Sequence, residues 1–150
     1  MVNNMKDEVY EYLINYGFNK DNLNKIEQEN EDIYFISLNK VRENIEFFLN
    51  KGLTNLEIIN LININSFNIT LSLKRKNSFE KIYINKLNLS NEEIKHLLNL
   101  NNNIYTCSPV ELDKIINYLS RKYSYDNIKK ILLTNPNIIN KKLDEIVGII

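Results

Sequence analysis

Tryptophan is absent from this 150-residue chain and proline is scarce, and the shortages of cysteine, histidine and glycine each exclude something. A single cysteine, Cys107, rules out an internal disulfide and suits a reducing compartment. One histidine, His96, and one cysteine fall short of a tetrahedral zinc site. The three glycines, Gly17, Gly52 and Gly148, stand alone, so no glycine-rich loop cradles a phosphate. Uninterrupted apolar runs are short: Ile58 to Ile64 is broken by Asn60 and Asn63, too little to span a bilayer. Near the start, Asp7 and Glu8 stand where a secretion signal needs a basic and then an apolar stretch. The expectation is a soluble intracellular protein with no membrane association, no cofactor and no metal.

What is present is ordinary in amount and uneven in place. The chain is 43% hydrophobic and 25% charged, enough for one folded domain over residues 1–150. Asn, Ile, Lys and Leu dominate, as AT-rich codons would produce, so Asn101-Asn102-Asn103 is taken as a loop between helices. Net charge is zero. Residues 1–50 nevertheless hold five Lys/Arg against ten Asp/Glu, and residues 51–150 hold fourteen against nine. That asymmetry points to a basic surface in the later part of the chain.

A repeat organises the whole sequence. Thr54-Asn55-Leu56-Glu57 and Ser90-Asn91-Glu92-Glu93 are capping boxes, in which a hydroxyl and a glutamate satisfy each other's backbone N–H groups. Alignment on them finds Asn19 upstream and Ser124 downstream, with spacings of 35, 36 and 34 residues. Phe18, Leu53, Leu89 and Tyr123 precede the caps, while Leu23, Ile58, Ile94 and Ile128 follow four residues later, as in a hydrophobic staple. Ile26, Leu61, Leu97 and Ile131 continue that helical face. Six residues before each cap stand Leu13, Phe48, Ile84 and Tyr118, expected to close the preceding helix onto the core. Gly17, Gly52 and Asn88 fit a left-handed helix end, whereas Lys122 does not, so the fourth turn should close differently.

Each copy therefore reads as helix A, a tight turn, a capped helix B and a short third helix. The third element carries Ile33-Tyr34, Ile69, Ile104-Tyr105 and Ile138-Ile139. Ser37, Ser72 and Ser108 then start the next helix A, Ser108 with Pro109 at the first helical position and Glu111 at the third. The expected fold is all-α: a short α-solenoid of four units at about residues 5–37, 38–72, 73–108 and 109–142, with a terminal helix over 143–150. The stretch Asn65 to Ser72 alternates briefly, leaving an edge strand as its competing reading. The apolar end Val147-Gly148-Ile149-Ile150 would pack on the fourth copy, continue into a longer array or mediate self-association.

At this pattern the chain resembles the repeats of the mitochondrial transcription termination factor (mTERF) family. The motifs are Ile131-Leu132-Leu133-Thr134-Asn135-Pro136-Asn137-Ile138-Ile139 and Phe47-Phe48-Leu49-Asn50-Lys51-Gly52-Leu53-Thr54, within a likeness covering about residues 9–146. The proline step occurs only in the last copy; Glu31, Ser66 and Asn102 occupy its place elsewhere. Tetratricopeptide and HEAT repeats share the period but lack this turn pattern. The resemblance implies a non-enzymatic protein binding DNA or RNA, with a role in transcription or RNA metabolism.

The residues themselves allow that chemistry. Lys74, Arg75, Lys76, Arg121, Lys122, Lys129, Lys130, Lys141 and Lys142 can neutralise phosphates and release counterions. Tyr105, Tyr118, Tyr123 and Tyr125 lie nearby for base stacking, although Tyr118 and Tyr123 fall at packing positions. His96 and Cys107 lack a third group to orient a thiol–imidazole pair. The acidic group Glu27, Glu29, Glu31 and Asp32 lacks calcium-loop spacing and suits a solvated face or a sealing end repeat. The competing function is a protein-interaction module that grips a partner helix or peptide.

Overall fold

The computed structural model describes residues 4–147, and among them it holds helices and turns but no strand; within Asn65 to Ser72, Phe67–Thr70 forms a single helical turn. The first copy comprises α1 (Asn4–Tyr16), α2 (Lys20–Glu29) and a 3-10 turn (Glu31–Tyr34). The second comprises α3 (Leu38–Asn50), α4 (Asn55–Ile64) and the single-turn α5 (Phe67–Thr70). In the third, α6 (Leu73–Glu80) runs on as a π-helical segment (Lys81–Lys86) before α7 (Asn91–Leu100); its third element is a chain of turns over 102–106. The fourth has α8 (Pro109–Leu119), α9 (Tyr125–Thr134) and a 3-10 helix (Pro136–Asn140), followed by α10 (Leu143–Ile146). Val147 already has an extended backbone, so the terminal helix stops at Ile146; residues 148–150 lie outside the described part.

All four helix B starts fall at the expected residues. Asn19, Thr54, Ser90 and Ser124 each accept a hydrogen bond from the backbone N–H three residues on. Thr54 and Ser90 form complete capping boxes, with Glu57 and Glu93 accepting from the cap N–H at 2.9 Å in both. Each such cap contributes about 1 kcal/mol. Leu23, Ile58, Ile94 and Ile128 are fully buried, as the staple requires, whereas Tyr123 before the fourth cap and Ile131 after it are only half-buried.

The uneven spacing is absorbed in the last turns of helix A and the turn that follows it. The residue before each cap donates its N–H to a carbonyl near the end of helix A: Phe18 to Leu13, Leu53 to Phe48, Leu89 to Tyr83 and Tyr123 to Leu119. The four acceptors are all buried. They lie five, five, six and four residues back, so the third turn is one residue long and the fourth one short. The surplus residue widens the helix into its π segment, the usual home of a single insertion. The missing residue removes the left-handed position: Gly17, Gly52 and Asn88 have φ of 131°, 93° and 54°, and among the described residues no other has positive φ. The fourth turn closes through Arg121 and Lys122, whose N–H groups bond to Tyr118 and Leu119. Two expected core positions are corrected in consequence. Ile84 is exposed and Tyr118 half-buried, while Tyr83 and Leu119 fill the places foreseen for them.

The chain packs as two compact units, residues 1–73 and 74–150, which meet at the boundary between the second and third copies in sequence. Inside the first, like packs on like: α1 on α3, α2 on α4 and the 3-10 turn on α5. Tyr16 donates to Asn55 at 2.6 Å and Arg42 lies over the Tyr12 ring. Inside the second, α7 packs on α9 and α10 on α8. Lys86 reaches from the π segment to Asp113 and Asn117 of α8.

An asparagine ends every helix B. Asn30, Asn65, Asn101 and Asn135 stand eleven residues past the four caps, each outside the helical region and each donating its N–H back to the helix. In the first copy the Asn30 side chain reaches over to Thr70 at 3.0 Å. In the third the Asn101 amide reaches the Pro136 carbonyl at 2.9 Å. Each of these two therefore joins one copy to the third element of the next. The abundance of asparagine, attributed above to codon bias, has a structural use at these positions.

Candidate nucleic-acid interface

All nine basic residues singled out in the sequence belong to the second unit, but they do not form one exposed set. Lys74, Arg121, Lys122, Lys130, Lys141 and Lys142 are exposed. Arg121 and Lys122 sit together in the short turn after α8, Lys130 projects from α9, and Lys141 and Lys142 precede α10.

The other three are committed elsewhere. Lys76 is a correction: its side chain is fully buried in α6, as are Phe79 of α6 and Tyr83 of the π-helical segment that continues it. Burial lowers its ammonium to a pKa of about 7, because desolvation disfavours the charged form. Lys129 is half-buried and pairs with Glu93 at 2.9 Å while donating to the Asn88 carbonyl at 3.0 Å. It thus holds α9 against α7 and against the left-handed end of the preceding helix. Burial pushes the Glu93 carboxyl up, yet hydrogen bonds from the Ser90 backbone and Lys129 prevail and hold it low. Arg75 is partly buried, and its guanidinium donates to the Cys107 carbonyl. In the sequence, the burial of Lys76 leaves a single trace, its spacing of three and seven residues from the aromatic Phe79 and Tyr83.

The aromatic candidates thin out likewise. Tyr105 is buried in a cluster with Phe79 and Tyr83, at centroid distances of 6.0 and 5.7 Å. Its ring is therefore not accessible to a base. Tyr83 donates to the Ile104 carbonyl at 2.5 Å, fixing the third element of that copy. Tyr118 and Tyr123 are half-buried, and Tyr125, 46% exposed at the start of α9, is the aromatic residue left facing solvent in this group.

His96 is exposed on α7, whereas Cys107 is half-buried with its thiol directed to the Ile139 carbonyl at 3.6 Å. Burial pushes the thiol up to about 11 despite the neighbouring Arg75, so the reactive thiolate is suppressed at neutral pH. Cys107 therefore serves packing between copies. Among the described residues no group of three metal-ligating side chains forms, and no helix is long and apolar enough to cross a membrane. Charge follows the division of the fold: the first unit holds six Lys/Arg and eleven Asp/Glu, the second thirteen and eight. The chain matches no protein-family model and no curated protein sequence.

Proposed function

We propose that this protein binds nucleic acid without catalysing a reaction, using the exposed Lys74, Arg121, Lys122, Lys130, Lys141 and Lys142 of the second unit. The observation that carries the reading is the coincidence of charge with fold. A net charge of five below zero on one compact unit and five above on the other creates a local field that a neutral total conceals. Most of these cations lie on turns or near helix starts, and Lys130 on the exposed side of α9, where phosphates can approach. The reading of all four copies as a short α-solenoid belongs to the same proposal. It is supported by the shared register and by like-on-like packing within each unit. The resemblance to mTERF repeats adds an analogy of fold and of partner.

Binding of labelled duplex DNA, single-stranded DNA and RNA across a salt series tests it. Affinity should fall steeply with salt. Replacing Arg121, Lys122, Lys141 and Lys142 by alanine should reduce the slope by about one for every phosphate no longer neutralised. Lys76→Met should leave the slope unchanged, because Lys76 is buried. Undetectable binding to all three probes at low salt removes the proposal. A protein-interaction role has one observation in its favour: Leu56, Ile64 and Phe67 of the second copy are 67%, 63% and 47% exposed. Apolar side chains on one copy to that degree suit a partner surface.

A further inference from the structure

The asparagine that ends helix B links a copy to its successor twice, and in the fourth copy the same residue opens onto a pocket. Asn101 is buried where it donates to Pro136 of the next copy, and it lies 3.4 Å from the Asn140 side chain. Its counterpart Asn135 is exposed, and among the described residues its amide donates only to Ile131 of its own helix, at 3.4 Å. Asn135, Pro136, Ile138, Lys141 and Ile146 line a pocket of about 380 Å³. At the matching register of the third copy Asn101 is buried, whereas Ile138 and Ile146 are buried just as their counterparts Ile104 and Leu112 are, so Asn135 is the position left open in the fourth copy. The pocket is thus the face on which a further third element would sit.

The first copy carries an element shaped for that face. Thr70 and Asn140, sixteen residues past their caps, receive the preceding asparagine. The residue at that register in the first copy is Phe35, which is 57% exposed at the end of its 3-10 turn. The residue matching Pro136, whose carbonyl accepts from Asn101, is Glu31. Glu29, Glu31 and Asp32 are exposed around it, while the pocket is edged by Lys141, with Lys142 beside it in sequence, both exposed. An exposed phenyl ring with a carboxylate rim complements an apolar pocket with a cationic rim.

We propose that two copies of this chain associate head to tail, Phe35 of one entering the Asn135–Lys141 pocket of the other. The Asn135 amide of one molecule donates to the Glu31 carbonyl of the next, repeating the Asn101–Pro136 bond between chains. The two surfaces differ, so the contact is heterologous and leaves a free face at each end of the assembly. A contact of this size gives weak, concentration-dependent association. Opposite charges at the rim make it sensitive to salt.

Sedimentation velocity of the full chain over a concentration series provides the test. The mass should rise with concentration past the dimer at low salt and fall when salt is added. Phe35→Glu and Asn135→Asp, both at exposed positions, should each weaken association by at least about tenfold while keeping the helical circular dichroism of the parent. A mixture of these two variants in equal amounts should form dimers and stop there, since each retains the one face the other has lost. Phe35→Ser serves if Phe35→Glu misfolds. The proposal is overturned if the parent stays monomeric up to about 1 mM, a concentration at which even weak specific association registers. It is also overturned if a folded variant associates like the parent, or if the mixed variants remain monomers.

Discussion

The two units are built on one register yet solve the same problems with different residues. In the first, both A–B turns are closed by glycine, and the polar residue Asn44, buried in helix A, is fully employed. Its amide donates to Lys40 within the helix and to Ile69 of the third element at 2.9 Å. In the second, one turn is closed by Asn88 and the other without a left-handed residue, and the buried polar residue of helix A is Lys76. The first unit therefore depends on backbone freedom at two points. The second depends on a π-helical insertion, an aromatic cluster and side-chain bridges from Lys86 and Lys129.

The turns should separate the two units most strongly. Gly17 has φ of 131°, and a Cβ added there would lie 2.8 Å from Ile59 of the next copy. Gly17→Ala should cost about 2–4 kcal/mol from strain and displaced packing together. Gly52 has φ of 93° but open space around it, so Gly52→Ala should cost only the backbone strain, about 1 kcal/mol. Lys122→Gly should not stabilise the second unit at all, because no left-handed position exists there to be relieved. Urea denaturation of the three variants gives the order. Equal losses for Gly17→Ala and Gly52→Ala would show that Ile59 does not confine the first turn.

Lys76 gives the next effect and has the opposite sign. With its pKa lowered from 10.5 to about 7 by burial, the unfolded chain holds this proton over a range where the folded chain has released it. Stability attributable to Lys76 therefore rises as pH climbs from about 7 towards 10.5, and the burial penalty is present in full below that range. Lys76→Met should raise stability near neutral pH by about 1–3 kcal/mol, as apolar replacements of buried charges often do. The gain over the parent should shrink as pH rises. A difference that stays constant with pH would mean that Lys76 does not titrate in this window.

Much of the fold was legible in the sequence, for a physical reason. Caps, staples and left-handed helix ends depend on neighbours within five residues, so Asn19, Thr54, Ser90, Ser124, Gly17, Gly52 and Asn88 declare themselves locally. The register of the core is less local. Spacings of 36 and 34 signal an insertion and a deletion, but whether the turn or the helix absorbs them depends on packing, which is why Tyr83 and Leu119 replace Ile84 and Tyr118. The basic candidates were legible only as charges. Burial of Lys76 follows from the face that Phe79 and Tyr83 define along α6 and its π-helical continuation, and exposure of Lys141 from its place before α10, not from the identity of lysine. The four asparagines eleven residues past the caps formed a periodic signal from the start, hidden by the abundance of asparagine elsewhere.

Those asparagines give the smallest effect and the most specific one. Asn101 is buried and joins two copies through the Pro136 carbonyl. Asn101→Ala should cost about 1–2 kcal/mol, because a part-buried carbonyl loses its donor. Asn135 occupies the same register but is exposed, and its side chain makes a long bond to its own helix. Asn135→Ala should therefore change stability in dilute solution by less than about 0.5 kcal/mol. Raising the protein concentration separates the two positions. If Asn135 bonds a second molecule, the parent should gain thermal stability with concentration and Asn135→Ala should gain less, while Asn101→Ala keeps the parental dependence. Identical concentration dependence in all three proteins would leave Asn135 an ordinary helix end and confine the linking role of this asparagine to copies within one chain.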